Sequence, residues 1–326
     1  MGHSTPVDPS LRLSVWLETV PVLMRTLGVQ HLALLAHSCG VIYALNTLHA
    51  MPGILPPSNR KLYLLAPWVT PDHSGVTMLS ISSHLPSPLI NSFDGIVRFV
   101  KSAMVPTWQF SGMVSGVVSA PFIAAFGDDV EDGGENTPKH QREDLCRRYL
   151  GVSAAESAAR GQALTNAIFA ESTRGANHEA LLLLQKEVAG PWGACDNYEA
   201  YPEILVERLK DLHRQEREQR AESAQSTGPA GNGDEAVESP LRQPFAVQVF
   251  WAEADILIEN KGKEYFDLCF QRYAHDEHSS GEDADRVLIY ESETIPNTNH
   301  DSLCLPQYGA LPRVLAEMMG RSEWED

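Results

Sequence analysis

The chain has 326 residues, above the usual size of one domain, so its length fits one large domain or a core carrying an inserted module. Hydrophobic residues make up 43%, enough for a sizeable core, while 25 Lys and Arg against 43 Asp and Glu leave a formal charge of −18 that opposes nucleic acid and anionic lipid as partners. Five dispersed cysteines (Cys39, Cys146, Cys195, Cys269, Cys304) without C-x-x-C spacing argue against a disulfide framework and a zinc ribbon.

The first nine residues lack the basic start and apolar run of a signal peptide, and a reducing, cytoplasmic location is expected. Asp8 before Pro9 marks a helix start, since the carboxylate caps free N–H groups and proline is tolerated in the first turn. Leu13, Trp16, Leu17, Val20, Leu23, Met24 and Leu27 recur at helical spacing up to the stop at Gly28, with Pro21 expected to bend the helix. Residues 29–36 are nearly all apolar and too short for a helix, as in a parallel strand buried on both faces. Residues 41–51 read as helical and 61–66 as a second apolar strand, which completes a βαβ unit.

From residue 71 to about 243 the strand rhythm is lost. Helix-like runs at 181–187 and 201–212 predict an inserted helical cap, with loops expected at 127–144 and 213–243, where apolar residues are too few to offset ordering entropy. The uncharged stretch 102–127 raises the question of a membrane span. Its prolines, glycines, serines and Gln109 interrupt the ~20 apolar residues a span needs, so no stable insertion is expected and an apolar lid or substrate wall is the preferred use. Strand character returns at 245–251, followed by a helix at 261–273, an acidic loop at 276–285, a last strand at 286–290 and a closing helix at 308–319.

Ala36-His37-Ser38-Cys39-Gly40 lies where a buried strand meets a helix. A serine on that sharp turn is forced toward a strained backbone that lifts its hydroxyl clear of the sheet, and the turn closes only if the residues two before and two after are small, as Ala36 and Gly40 are. A serine hydroxyl needs a base, and the base an orienting carboxylate. In the chain order Ser, acid, His, the turn after 245–251 offers Glu253 and Asp255, and the loop after the last strand offers His300. Asp255 is the preferred acid from its place in the turn, with Glu253 and Asp72 as alternatives. His37 and Trp68 are candidate substrate-lining residues. His275, Asp276, Glu277 and His278 resemble a metal cluster but sit in an acidic loop of the kind that is normally solvated, and neither a metal nor a cofactor is expected.

The elbow, the Ala66-Pro67-Trp68 strand end, the helical insertion, the turn ending at Asp255 and the segment around His300 together resemble the α/β-hydrolase family, in particular its serine-nucleophile, cap-bearing members. The resemblance covers residues 1–75 and 244–319. It implies an α/β fold, a mostly parallel sheet with residues 1–70 and 244–326 as core and 71–243 as cap. It further implies Ser38 as nucleophile, His300 as general base and then acid, Asp255 as the orienting carboxylate, and the Cys39 backbone N–H as one oxyanion donor. The implied activity is hydrolysis of a carboxylic ester, or related acyl bond, of a lipophilic small molecule. Serine at the elbow argues against the family's epoxide hydrolases and haloalkane dehalogenases, expected to use aspartate there. Members begin with four strands before the elbow that have no counterpart here, and residues 1–6 resemble the second half of the family's Gly-x-Gly-x-Ser loop. The expectation is therefore a truncated core with an exposed sheet edge prone to self-association, and, as an alternative function, a catalytically impaired relative acting as a binding protein.

Overall fold

A computed structural model describes Thr5 and residues 7–76, 138–170, 174–185, 192–226, 243–274 and 286–321. The fold is α/β. Four strands, β1 (Leu34–His37), β2 (Lys61–Leu65), β3 (Phe245–Ala252) and β4 (Leu288–Ile295), form one sheet in the order β1-β2-β3-β4 with every pair parallel. In the register, His37 stands opposite Leu65, Leu65 opposite Phe250 and Phe250 opposite Glu293. The carboxyl ends of all four strands therefore open on one rim.

Both faces of the sheet are covered, as a parallel sheet requires. One face carries Ala36, Leu62, Leu64, Val247, Val249, Trp251 and Tyr290 and packs under α2 (Gly40–Ala50) and α7 (Asn260–Phe270). The opposite face presents Tyr63, Leu65, Phe250 and Ala252 to Ala310 and Val314 of the closing helix α8 (Ala310–Met318). Burial of a large apolar side chain stabilises by roughly 1.5–3 kcal/mol, so these two clusters are the main favourable term.

The first helix, α1 (Arg12–Leu27), begins after a short turn capped by Asp8 and ends at Gly28, whose φ of 68° is the left-handed conformation that glycine tolerates best. Pro21 lies inside α1 without ending it. Of the seven apolar positions read as its stripe, only Val20 is buried, and Leu23 and Leu27 are 49% and 60% exposed.

Four helices lie between β2 and β3 in the described part of the chain: α3 (Pro138–Leu150), α4 (Ala154–Ala170), α5 (Arg174–Leu183) and α6 (Tyr201–Ser226). Two sequence expectations change here. The loop expected over 127–144 gives way to helix from Pro138, a residue suited to a first helical turn. The loop expected over 213–243 is helical as far as Ser226, because α6 continues from an already packed turn through residues of good helix propensity. Arg60 also holds this stretch, through Glu216 at 2.9 Å and His213 at 3.1 Å. Part of the inserted stretch packs directly on the core. Trp192, Cys195, Tyr198, Tyr201, Leu205 and Leu209 are buried in the same cluster as β2, β3 and α2.

The strand expected at 29–36 is confined to Leu34–His37, and β4 runs five residues past the expected end at Tyr290. Among the described residues no helix is long and apolar enough to cross a membrane. The stretch 102–127 and the cluster 275–278 lie outside the described residues.

Candidate active site

The site forms at the carboxyl rim, where β1, β3 and β4 each release a loop. After β1 the chain turns through Ser38 at φ 51° and enters α2, with Cys39 as its N-cap. The turn is pinned to the neighbouring strand end from both sides, since the Ser38 N–H donates to the Leu65 carbonyl at 3.0 Å and the Trp68 N–H donates to the Ser38 carbonyl at 3.2 Å. A Cβ added at Gly40 would sit 3.5 Å from the Ala36 Cβ, so these two small residues meet across the turn as the pattern required.

After β3, Asp255 turns its carboxylate inward. Its Oδ1 accepts the N–H groups of Leu257 at 2.8 Å and Ile258 at 2.9 Å, which fixes the carboxylate plane and leaves Oδ2 directed at His300. After β4, Thr298 joins the two loops, its hydroxyl donating to the Ile295 carbonyl and its own carbonyl accepting the Ala254 N–H. Asn299 and Ser302 then bond reciprocally, the Ser302 N–H to Asn299 Oδ1 at 3.0 Å and the Asn299 N–H to Ser302 Oγ at 2.7 Å, and so set His300 between them.

These loops bring the three residues singled out by the sequence into one chain of hydrogen bonds. His300 Nδ1 lies 2.7 Å from Asp255 Oδ2, and His300 Nε2 lies 2.8 Å from Ser38 Oγ. An ionised carboxylate only accepts, so Nδ1 carries the proton and Nε2 offers its lone pair to the serine hydroxyl. The Asp255 and His300 side chains are only 3% and 2% exposed. At that burial their mutual attraction is screened far less than at a surface.

The alternative acids are elsewhere. Glu253 is exposed and accepts the Asn297 N–H at 2.7 Å, while Asp72 is exposed in the turn after β2. Trp68 is buried in the larger core cluster, its indole N–H directed to the Leu183 carbonyl. His37 turns toward His300. Its Nε2 lies 2.9 Å from the His300 carbonyl oxygen, and the two rings are 4.9 Å apart. Burial, and next the neighbouring His300, hold its pKa below the ordinary histidine value. Burial, helped by Glu179, pushes the Cys39 thiol up to about 11, so the residue after Ser38 carries a neutral side chain at physiological pH.

A cavity of about 250 Å³ lies at the Asp255 turn, lined among others by Trp251, Glu253, Asp255, Ile258 and Lys263, and Ser38 is not part of its lining. His37, His300 and Asp301 bring potential metal-ligand atoms within 4.8 Å of one another. Both His300 nitrogens are already engaged, one by Asp255 and the other by Ser38.

No protein-family model matches the chain, and no curated protein does. Among solved structures it is similar to an epoxide hydrolase from Bacillus megaterium in complex with an inhibitor, at 10% identity and TM-score 0.45, over 98% of this chain and 80% of that one. A haloalkane dehalogenase from Agrobacterium tumefaciens aligns at 11% identity and TM-score 0.40 over 98% and 77%, and an E-2-(acetamidomethylene)succinate hydrolase at 12% and 0.38 over 98% and 78%.

Proposed function

We propose that the protein is a serine hydrolase of the α/β-hydrolase type that cleaves a carboxylic ester, or a related acyl bond, of a lipophilic small molecule through an acyl-serine intermediate. The observation that carries this reading is the unbroken chain Ser38 Oγ, His300 Nε2, His300 Nδ1, Asp255 Oδ2, with Ser38 on a strained turn at the strand-to-helix junction. A half-buried serine with no nucleophilic role has no need of this arrangement.

The steps follow from the geometry. Ser38 Oγ attacks the acyl carbon while its proton passes to His300 Nε2, and Asp255 stabilises the imidazolium it faces. The oxyanion so formed is received by the Cys39 N–H, at the N-cap of α2, where the leading amides have no partner within the helix. The C–O bond to the leaving group then breaks, and the alcohol departs with the proton from Nε2. Water next gives a proton to the same nitrogen and attacks the acyl carbon, and the proton returns to Ser38 as the acid leaves.

The test needs no knowledge of the substrate. A fluorophosphonate reacts with an activated serine whatever the natural acyl group, so wild-type protein is expected to be labelled and the Ser38→Ala variant not. Equal reactivity of the two overturns the hydrolase reading in favour of a non-catalytic binding protein.

A further inference from the structure

We propose, resting on the serine-hydrolase reading, that His37 is a positioning residue: its Nε2–H, donated to the His300 carbonyl, sets the distance between the general base and the nucleophile. The bond is 2.9 Å long and joins residues 263 apart in sequence. A carbonyl oxygen can only accept, so the tautomer with hydrogen on Nε2 is the one in place. His37 is covalently next to Ser38, and the carbonyl it holds belongs to the base itself. The two halves of the reacting pair are therefore tied twice, once through Oγ and Nε2 at 2.8 Å and once through their immediate main-chain neighbours.

The surrounding bonds show why the second tie matters. Thr298 fastens the His300 loop to the turn after β3, and the Asn299–Ser302 pair fastens it to itself. Those contacts fix His300 relative to Asp255. Beside the Ser38 Oγ bond itself, His37 is the contact that fixes it relative to β1, the strand leading to the nucleophile. Near-attack geometry is sensitive to small displacements, so slack here lowers turnover more than binding. The charges agree with this role. His300 becomes a cation as Ser38 attacks, and a neutral His37 ring 4.9 Å away adds no like charge, whereas Asp255 and Asp301 face the pair with opposite charge.

The experiment compares fluorophosphonate labelling rates, and kcat and KM on a short p-nitrophenyl ester, for wild type, Ser38→Ala, His37→Phe, His37→Asn and His37→Gln. Phe keeps the ring and loses the donor, Asn donates from the position of Nδ1, and Gln places an N–H near that of Nε2. Labelling and kcat are expected to fall about tenfold in Phe and Asn with KM unchanged, and to stay within about threefold of wild type in Gln. The Asn variant carries the test if Phe does not fold. Phe or Asn variants that react as fast as wild type, or a Gln variant as slow as Phe, overturn this proposal alone. Wild type reacting no faster than Ser38→Ala overturns the hydrolase reading and this proposal with it.

Discussion

Ser38 holds a φ of 51°, a conformation disfavoured for any residue with a Cβ, and it is kept there by the bonds to Leu65 and Trp68 on the neighbouring strand end. Stability and reactivity are thus opposed at one position. Ser38→Gly is expected to melt higher than Ser38→Ala, because glycine relieves the left-handed backbone, while neither is labelled by a fluorophosphonate. Asp255→Asn keeps the shape but favours the wrong tautomer of His300, and a loss on the order of 10⁴ in kcat is expected, against little change for Glu253→Gln. His37 gives a pH signature of its own. Its pKa is depressed in the folded protein below the ordinary 6.5, by burial first and His300 second, with the His300 carbonyl bond, Asp301 and Asp255 acting in the opposite sense. The unfolded chain then takes up the proton more readily. Stability is therefore full above about pH 6.5 and declines as the pH falls toward and through the folded value. His37→Gln is expected to flatten the acid-side fall of melting temperature, and an unaltered profile would count against that burden on His37. The juxtaposition of Ser38, Asp255 and His300 was legible in the sequence because a strand-to-helix turn with small flanks, an acid after one strand and a histidine after the next are local patterns. The His37 bond was not, since nothing in a sequence shows which way a side chain at a strand end is turned.

At the scale of elements, strands and helices flanked by apolar periodicity were readable, and the departures have physical causes. Residues 291–294 of β4 are polar and face solvent in part, so hydrophobicity ended the strand early, while the ladder to Val249–Ala252 continues to Ile295. Arg313 reinforces that stretch from α8, bonding Glu293 and lying 4.7 Å over the Phe250 ring. The segment 192–195 gave no signal at all, yet it is built onto α2 by Asn46, whose amide donates to the Ile42 and Trp192 carbonyls at 2.7 Å and whose oxygen accepts the Ala194 N–H at 2.8 Å. Gly193 has a φ of 60°, and a Cβ there would fall 2.4 Å from Leu13 and 2.5 Å from Asn46. Asn46→Ala leaves buried partners unpaired, at about 1–3 kcal/mol for each group. Urea unfolding is expected to show a comparable loss for Asn46→Ala and for Gly193→Ala. A midpoint unchanged in both would mean that the segment is held by its buried Trp192 and Cys195 alone.

Over the whole molecule, parts distant in sequence are joined by buried polar contacts. Arg12 at the start of α1 pairs with Glu179 in α5, with side chains 11% and 7% exposed, and Tyr43 of α2 donates to the same carboxylate at 3.1 Å. Breaking one partner of a buried pair leaves a stranded charge, at about 3–5 kcal/mol, whereas replacing both by apolar residues is often close to neutral. Glu179→Leu is therefore expected to lower the unfolding midpoint, and the Arg12→Met/Glu179→Leu double variant to recover most of it. A double variant as unstable as the single one would show that packing around Tyr43, not charge, sets the stability there.

The strand order has a consequence for how the chain is made. β2 ends at Leu65 and its neighbour β3 begins at Phe245, so about 180 residues leave the ribosome between two strands that lie side by side. At roughly 5–20 residues per second, that is a wait of roughly ten to forty seconds during which β2 has no β3 to pair with. Ser38 waits longer still, because the histidine it bonds is 262 residues downstream. Nascent chains stalled before His300 are expected to be inert to a fluorophosphonate even with the elbow complete, and the probe would report on finished molecules only.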